Sequence, residues 1–143
     1  VVNIQWIGTP EDRILSIRKF RKYISELSFE EAVTATINQW EFCPILRKDK
    51  FDISVLEQWP TPWELFSENT FCKNSQCLGV LYTLIMSSHG KDTNFSVGIV
   101  NDVIEGIIPA LLIGDKYLSE IEQEKVQLVQ TITKQEILTK IKE

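Results

Sequence analysis

At 143 residues, 43% apolar and 24% charged, the chain has the length and composition of one globular domain. Lys and Arg number 15 against 20 Asp and Glu, and the formal charge of −5 argues against a nucleic-acid surface covering the whole domain. No apolar run approaches the ~20 residues of a membrane span, and three irregularly spaced cysteines, Cys43, Cys72 and Cys77, do not make a secreted disulfide framework.

A reducing compartment is the expectation from that cysteine usage. The opening segment, Val1 to Trp6, has neither a basic n-region nor a long apolar stretch, so it does not read as a signal peptide. It also lacks an initiator Met, which leaves open whether residues precede Val1. Val2, Ile4 and Trp6 alternate with Asn3 and Gln5 in the period of a half-buried strand. Thr9, Pro10, Glu11 and Asp12 then carry the signals of a helix start: a cap, a first-turn proline and acids at the positive end of the dipole. Ile14, Leu15, Ile17, Phe20 and Ile24 form the apolar stripe of that helix. Arg13, Arg18, Lys19, Arg21 and Lys22 are assigned to its solvent side, either as a solvated face or as a contact for an acidic partner.

Ser28 to Glu31 is a capping box opening a second helix that runs to about Trp40. Cys43-Pro44 breaks it, Arg47 to Lys50 reads as a polar loop, and a short helix is expected at Ile53 to Gln58. Thr61, Pro62 and Glu64 predict another short helix, from Pro62 to about Glu68. From Cys72 to His89 the pattern predicts a helix apolar nearly all round and therefore buried on every side, ended by Gly90. Gly79 within it signals close approach of a neighbouring backbone, since glycine there costs about 1 kcal/mol relative to alanine. Two antiparallel strands follow, Phe95 to Val100 and Ile107 to Ile113, then a short third at Lys116 to Leu118. Val126 to Ile132 reads as a further strand, and Thr133 to Glu136 as the capping box of a last helix. One continuous helix from Glu120 is the alternative. Helices segregate from strands, so the fold class is α+β: N-terminal helices and a buried central helix packed on a small antiparallel sheet. Residues 1–118 form one domain, and 119–143 a strand and helix extension docked on that domain or on a partner.

Candidate chemistry centres on Cys72, a thiol at the entrance of a buried helix, where the helix N-terminus favours the thiolate. With the aromatic lead-in from Trp59 to Trp63 and the strands that follow, this arrangement resembles the transglutaminase-like branch of the papain-like cysteine enzymes. The resemblance implies Cys72 as nucleophile, a His on the strand at Ile107 to Leu111, and an Asp or Asn near Leu118 and Ser119. None of those positions carries the required residue. The only histidine, His89, falls at the far end of the same predicted helix, about 25 Å away at 1.5 Å per residue. The triad is degenerate on this reading. Cys43, Cys72, Cys77 and His89 lack the C-x₂-C spacing of a zinc knuckle, so no metal site and no cofactor are expected.

The string from Trp59 to Leu84, W-P-T-P-W-E-L…F-C…L-G-V-L-Y-T-L, resembles a pattern found in small proteins of large tailed bacteriophages. Together these readings predict a non-enzymatic structural or assembly protein, a tailed-phage virion component acting through protein–protein contacts. The expected location is the virion or host cytoplasm, with no membrane and no nucleic-acid partner. The alternatives are a thiol hydrolase or acyltransferase using Cys72, and a small host-interfering binding protein. The expected partner contacts are Trp59, Trp63, Arg18, Lys19, Arg21, Lys22, Leu128, Ile132, Ile137 and Ile141; for Trp59 and Trp63 the first reading is packing in the core, and a rigid exposed platform held by two prolines is the alternative.

Overall fold

Thr9, Ser28, Thr61 and Thr133 each accept a hydrogen bond from the amide three residues on, and each begins a helix. The computed structural model describes residues 2–118 and 126–143. Those caps open α1 (Pro10–Ile24), α2 (Phe29–Trp40), α3 (Pro62–Phe66) and α5 (Lys134–Ile141), while α4 (Lys73–Ile85) begins after Cys72. The boxes at Thr61/Glu64 and Thr133/Glu136 are reciprocal, satisfying two otherwise orphaned amides each. At Ser28 the hydroxyl accepts from the Glu31 amide and donates to its carboxylate. Leu56–Gln58 is a single 3-10 turn, shorter than the helix expected from Ile53.

A four-stranded antiparallel sheet completes the α+β fold. It consists of β1 (Phe95–Asp102), β2 (Gly106–Ile113), β3 (Lys116–Tyr117) and β4 (Val126–Ile132), in the order β3-β2-β1-β4. β1 and β2 form a hairpin in register from Phe95 opposite Ile113 to Asp102 opposite Gly106. The Asp102 carboxylate accepts from the amides of Ile104 and Glu105, and Gly106 turns the chain at φ +81°, a conformation that disfavours residues with a Cβ. β4 pairs with the other edge of β1, with a bulge between Ile99 and Val100 that leaves Val129 unmatched. The strand-then-helix reading of the C-terminal residues is the one adopted from 126 onward. Ile132 and Ile137 enter the same core as the helices. The acidic positions Glu120, Glu122 and Glu124 lie outside the described residues.

The core is built on α4. Leu78, Val80, Leu81, Tyr82, Leu84 and Ile85 are all buried, packed between the other helices and the inner face of the sheet, where Phe95, Val97, Ile99, Leu111 and Ile132 meet them. Trp40 is its aromatic hub, with Trp6, Phe71 and Phe66 around it at ring separations of 4.7, 5.5 and 6.1 Å. The Trp40 indole donates to Thr83 Oγ1. A Cβ at Gly79 would overlap the Trp40 ring, so this glycine answers to a side chain and not to the neighbouring backbone that the sequence suggested.

Three further expectations need correction. Residues 2 to 6 form no strand and pair with none among the described residues. Gln39 takes the role of a ladder, its side chain accepting from the Ile4 amide and its carbonyl from the Trp6 indole. Arg13 is not on the solvent side: it is 2% exposed, donating to the carbonyls of Trp6 and Phe66 and to the Asn69 side chain. Burial pushes its guanidinium down from the ordinary value, and among the described residues Nε has no acceptor. Finally, α4 stops at Ile85. His89 lies on a separate 3-10 turn, Ser88–Gly90, where its ring contacts the Ile24 carbonyl at 2.9 Å and packs edge-on against Phe29.

Candidate functional site

Which way the peptide groups of β2 point follows from two hydrogen bonds. The Gly114 amide donates to the Asn94 carbonyl, on the β1 side, whereas the Leu111 carbonyl accepts from the Leu118 amide, on the side away from β1. Strand alternation therefore turns the peptide groups of Ile108, Ala110 and Leu112 toward β1, and those of Ile107, Pro109 and Leu111 outward. Proline lacks the amide that a ladder needs, and Pro109 stands where that amide would have faced away from β1. β3 covers only Leu112 and Ile113, with Leu118 adding the one bond to Leu111. Among the described residues, the outer edge of β2 from Ile107 to Leu111 is otherwise unpaired.

A groove of about 630 Å³ runs beside this open edge. Its floor and far wall come from α2 and α4: Ile37, Trp40, Cys77 and Val80, with Leu111 and Leu118 closing one end. Charged side chains stand exposed around the mouth, Glu41, Arg47, Asp49, Lys73 and Glu105. Lys73 and Glu105 face each other at 3.5 Å, and at this exposure such a pair contributes little. A second hollow, lined by Lys50 to Ile53, shares Asp49, Asn74 and Ile107 with the first, so the concavity is elongated. An exposed apolar side chain, Ile107 at 50%, lines both hollows. The volume is in the range of ligand-binding clefts, and a largely apolar floor under a charged rim is the anatomy of a recognition site.

Cys72 is outside this groove. It is fully buried, its sulfur accepting from the Ser75 amide at 3.4 Å and lying 3.1 Å from Ser75 Oγ. Ile107 to Leu111, where the family resemblance would put an imidazole, instead supply the groove's edge. His89, bound to Ile24 and Phe29, makes no contact with Cys72. Leu118 is a groove residue, and Ser119 lies outside the described residues. The thiol that does line the groove is Cys77, which burial pushes up to about 12, so it is protonated near neutral pH and a weak nucleophile. Among the described residues no three His, Cys, Asp or Glu side chains are grouped to hold a metal ion.

The partner-contact residues read from the sequence are scattered by the fold. Trp59 is 1% exposed, its indole donating to the Ile53 carbonyl, so it is a core residue and not half of an exposed platform. Trp63, on α3, is 49% exposed. Arg18, Lys19 and Lys22 are exposed on α1, while Arg21 is half-buried, with Nη1 3.5 Å from the Met86 sulfur. Leu128 is half-exposed on β4 and Ile141 half-buried against the core. Ile132 and Ile137 are buried inside this chain and so are not available as surface contacts. None of these residues lines the groove. The groove itself was not read from the sequence, although Pro109 inside an apolar run is the mark of an edge strand.

No helix among the described residues is long and apolar enough to cross a membrane. Comparison with known protein families, curated proteins and solved structures returned no match.

Proposed function

We propose that the protein is a non-catalytic component of a larger protein assembly and that the groove beside β2 is its contact surface. The observation that carries this reading is the coincidence of a strand edge unpaired among the described residues, an apolar floor and the exposed Ile107 in one place. A thiol hydrolase or acyltransferase is the weaker reading, because Cys72 is buried without a base within hydrogen-bonding reach among the described residues. The exposed cations Arg18, Lys19 and Lys22 keep a host-interfering role, binding an acidic surface, as the other rival. The string from Trp59 to Leu84 supports a tailed-phage particle or its assembly machinery as the setting, with the virion or the host cytoplasm as location.

The test is to quantify the protein by mass spectrometry in purified particles and in the soluble fraction, for the native chain and for Ile107→Lys. The reading expects the native chain in the particles and the folded variant depleted from them. A native chain found only free in the cytosol, or a variant incorporated like the native one, would refute it.

A further inference from the structure

A surface can recognise a partner by side chains alone or by main chain, and the β2 edge offers the second. The Ile107 amide and carbonyl, the Pro109 carbonyl and the Leu111 amide point outward along one wall of the groove, without a strand to receive them among the described residues. Opposite that wall, across a width that α2 and α4 define, lie Ile37, Cys77 and Val80, backed by the buried Trp40. An extended peptide laid along β2 would put every second side chain over that apolar floor, while its peptide groups meet those of the edge. A helix in the same groove could satisfy the floor but not the edge, because its own peptide groups are already paired.

We propose, resting on the assembly reading above, that the partner enters the groove as an added β-strand: an extended segment, apolar at alternate positions, with charged residues of both signs at its ends. The charge requirement comes from the rim. Arg47, Glu41 and Asp49 stand exposed at the rim and form no ion pair among the described residues, so a segment carrying both a carboxylate and an amine meets both signs. The same rim argues for a partner segment over a second copy of this chain, since two copies each carrying a formal charge of −5 repel. Pro109 narrows the choice further. By withholding one donor at the centre of the edge it weakens indiscriminate edge-to-edge pairing, the hazard of any uncovered strand, and leaves the floor to supply the specificity.

Strand addition has a signature that side-chain binding lacks. In a paired peptide only alternate amides face the edge, so methylating the amide nitrogens in one phase removes the pairing and methylating the other phase spares it. The probe is a panel of acetylated seven-residue peptides with Val or Ile at alternate positions, Thr or Gln between them, and a terminal Glu and Lys. Each is made unmethylated and in both methylated phases, and binding to the full chain is read by fluorescence anisotropy. The expected result is that one phase weakens binding by about tenfold or more and the other leaves it within about twofold. Ile107→Pro, which deletes an amide that faces away from β1, is expected to weaken the unmethylated peptide to a similar degree without altering the fold. If both phases bind like the parent peptide while Cys77→Trp, which fills the floor, abolishes binding, strand addition is overturned and the contact role of the groove stands. Absence of binding by every peptide also overturns it, as does sedimentation showing a dimer that the peptides dissociate, which would make a second copy the occupant. Normal incorporation of Cys77→Trp into particles is the separate result that removes the assembly reading itself.

Discussion

Gly79 is the seat of the Trp40 ring: the indole lies flush against the helix where a side chain is missing, and donates to Thr83 one turn on. Gly79→Ala therefore sets two effects against each other. The helix gains about 1 kcal/mol in propensity, and a rigid buried ring must move, an overpacking cost of about 1–3 kcal/mol or more. Since the ring is hemmed in by Trp6, Phe66 and Phe71, the second effect dominates, and urea denaturation should show a net loss of about 1–2 kcal/mol. An unchanged or raised midpoint would mean that the hub has room to shift.

Truncations on α4 and in the aromatic lead-in should separate core from surface. Leu81→Ala is expected to cost about 2–5 kcal/mol and Trp59→Ala about 3–5 kcal/mol, as both side chains are buried. Trp63→Ala, at a half-exposed position, should stay within about 1 kcal/mol in thermal denaturation. A large loss at Trp63 would place it in the core.

Cys72→Ser should leave biological function intact, because the sulfur serves as a helix cap that a hydroxyl can replace and no base stands beside it among the described residues. A variant that folds and assembles but loses activity would restore the thiol reading. In the native chain, a thiol reagent should modify half-buried Cys77 ahead of buried Cys43 and Cys72.

Alkaline pH should erode stability through Cys43. Burial, aided by the nearby Cys72 and opposed by a backbone hydrogen bond, raises its thiol from 9.0 to about 12. Between those values the folded chain holds a proton that the unfolded chain has released, so stability falls as pH rises through this window and is unaffected below it. The slope of unfolding free energy against pH in that range should be shallower in Cys43→Ala than in the native chain. Equal slopes would assign the alkaline loss to other groups.

Removing residues 126–143 should collapse the melting temperature, since it strips β4 from the edge of β1 and takes Ile132 and Ile137 out of the core. A truncated chain that melts like the native one would show that the rest of the domain is self-sufficient.

Much of this architecture is legible in local chemistry. Thr9, Ser28, Thr61 and Thr133 announce their helices because a cap and its partner amide lie within four residues. The apolar circumference of α4 reports burial in the same local way. Features that depend on residues far apart in the chain are not legible. Arg13 looks like a surface cation until Phe66 and Asn69 bring oxygens to it, and Trp59 looks free until Ile53 supplies an acceptor. Val2 to Trp6 has the period of a strand, but the period says nothing of whether a neighbouring strand exists. The groove is of this kind as well, created by how far β3 reaches along β2, with Pro109 its one local trace.

The position of β4 also has a consequence for how the chain is made. β1 and β2 are joined by a tight hairpin and can pair as soon as both have been synthesised, whereas β1's other neighbour is encoded some way downstream. At a translation rate of about 5–20 residues per second, the interval between completing β2 and completing β4 lasts on the order of seconds. During it the nascent chain displays Val97 and Ile99 on an uncapped sheet margin beside a half-covered core. Chaperone capture, or strand exchange between neighbouring ribosomes on one message, has its opening in that interval, and a slow codon run ahead of residue 126 would prolong it.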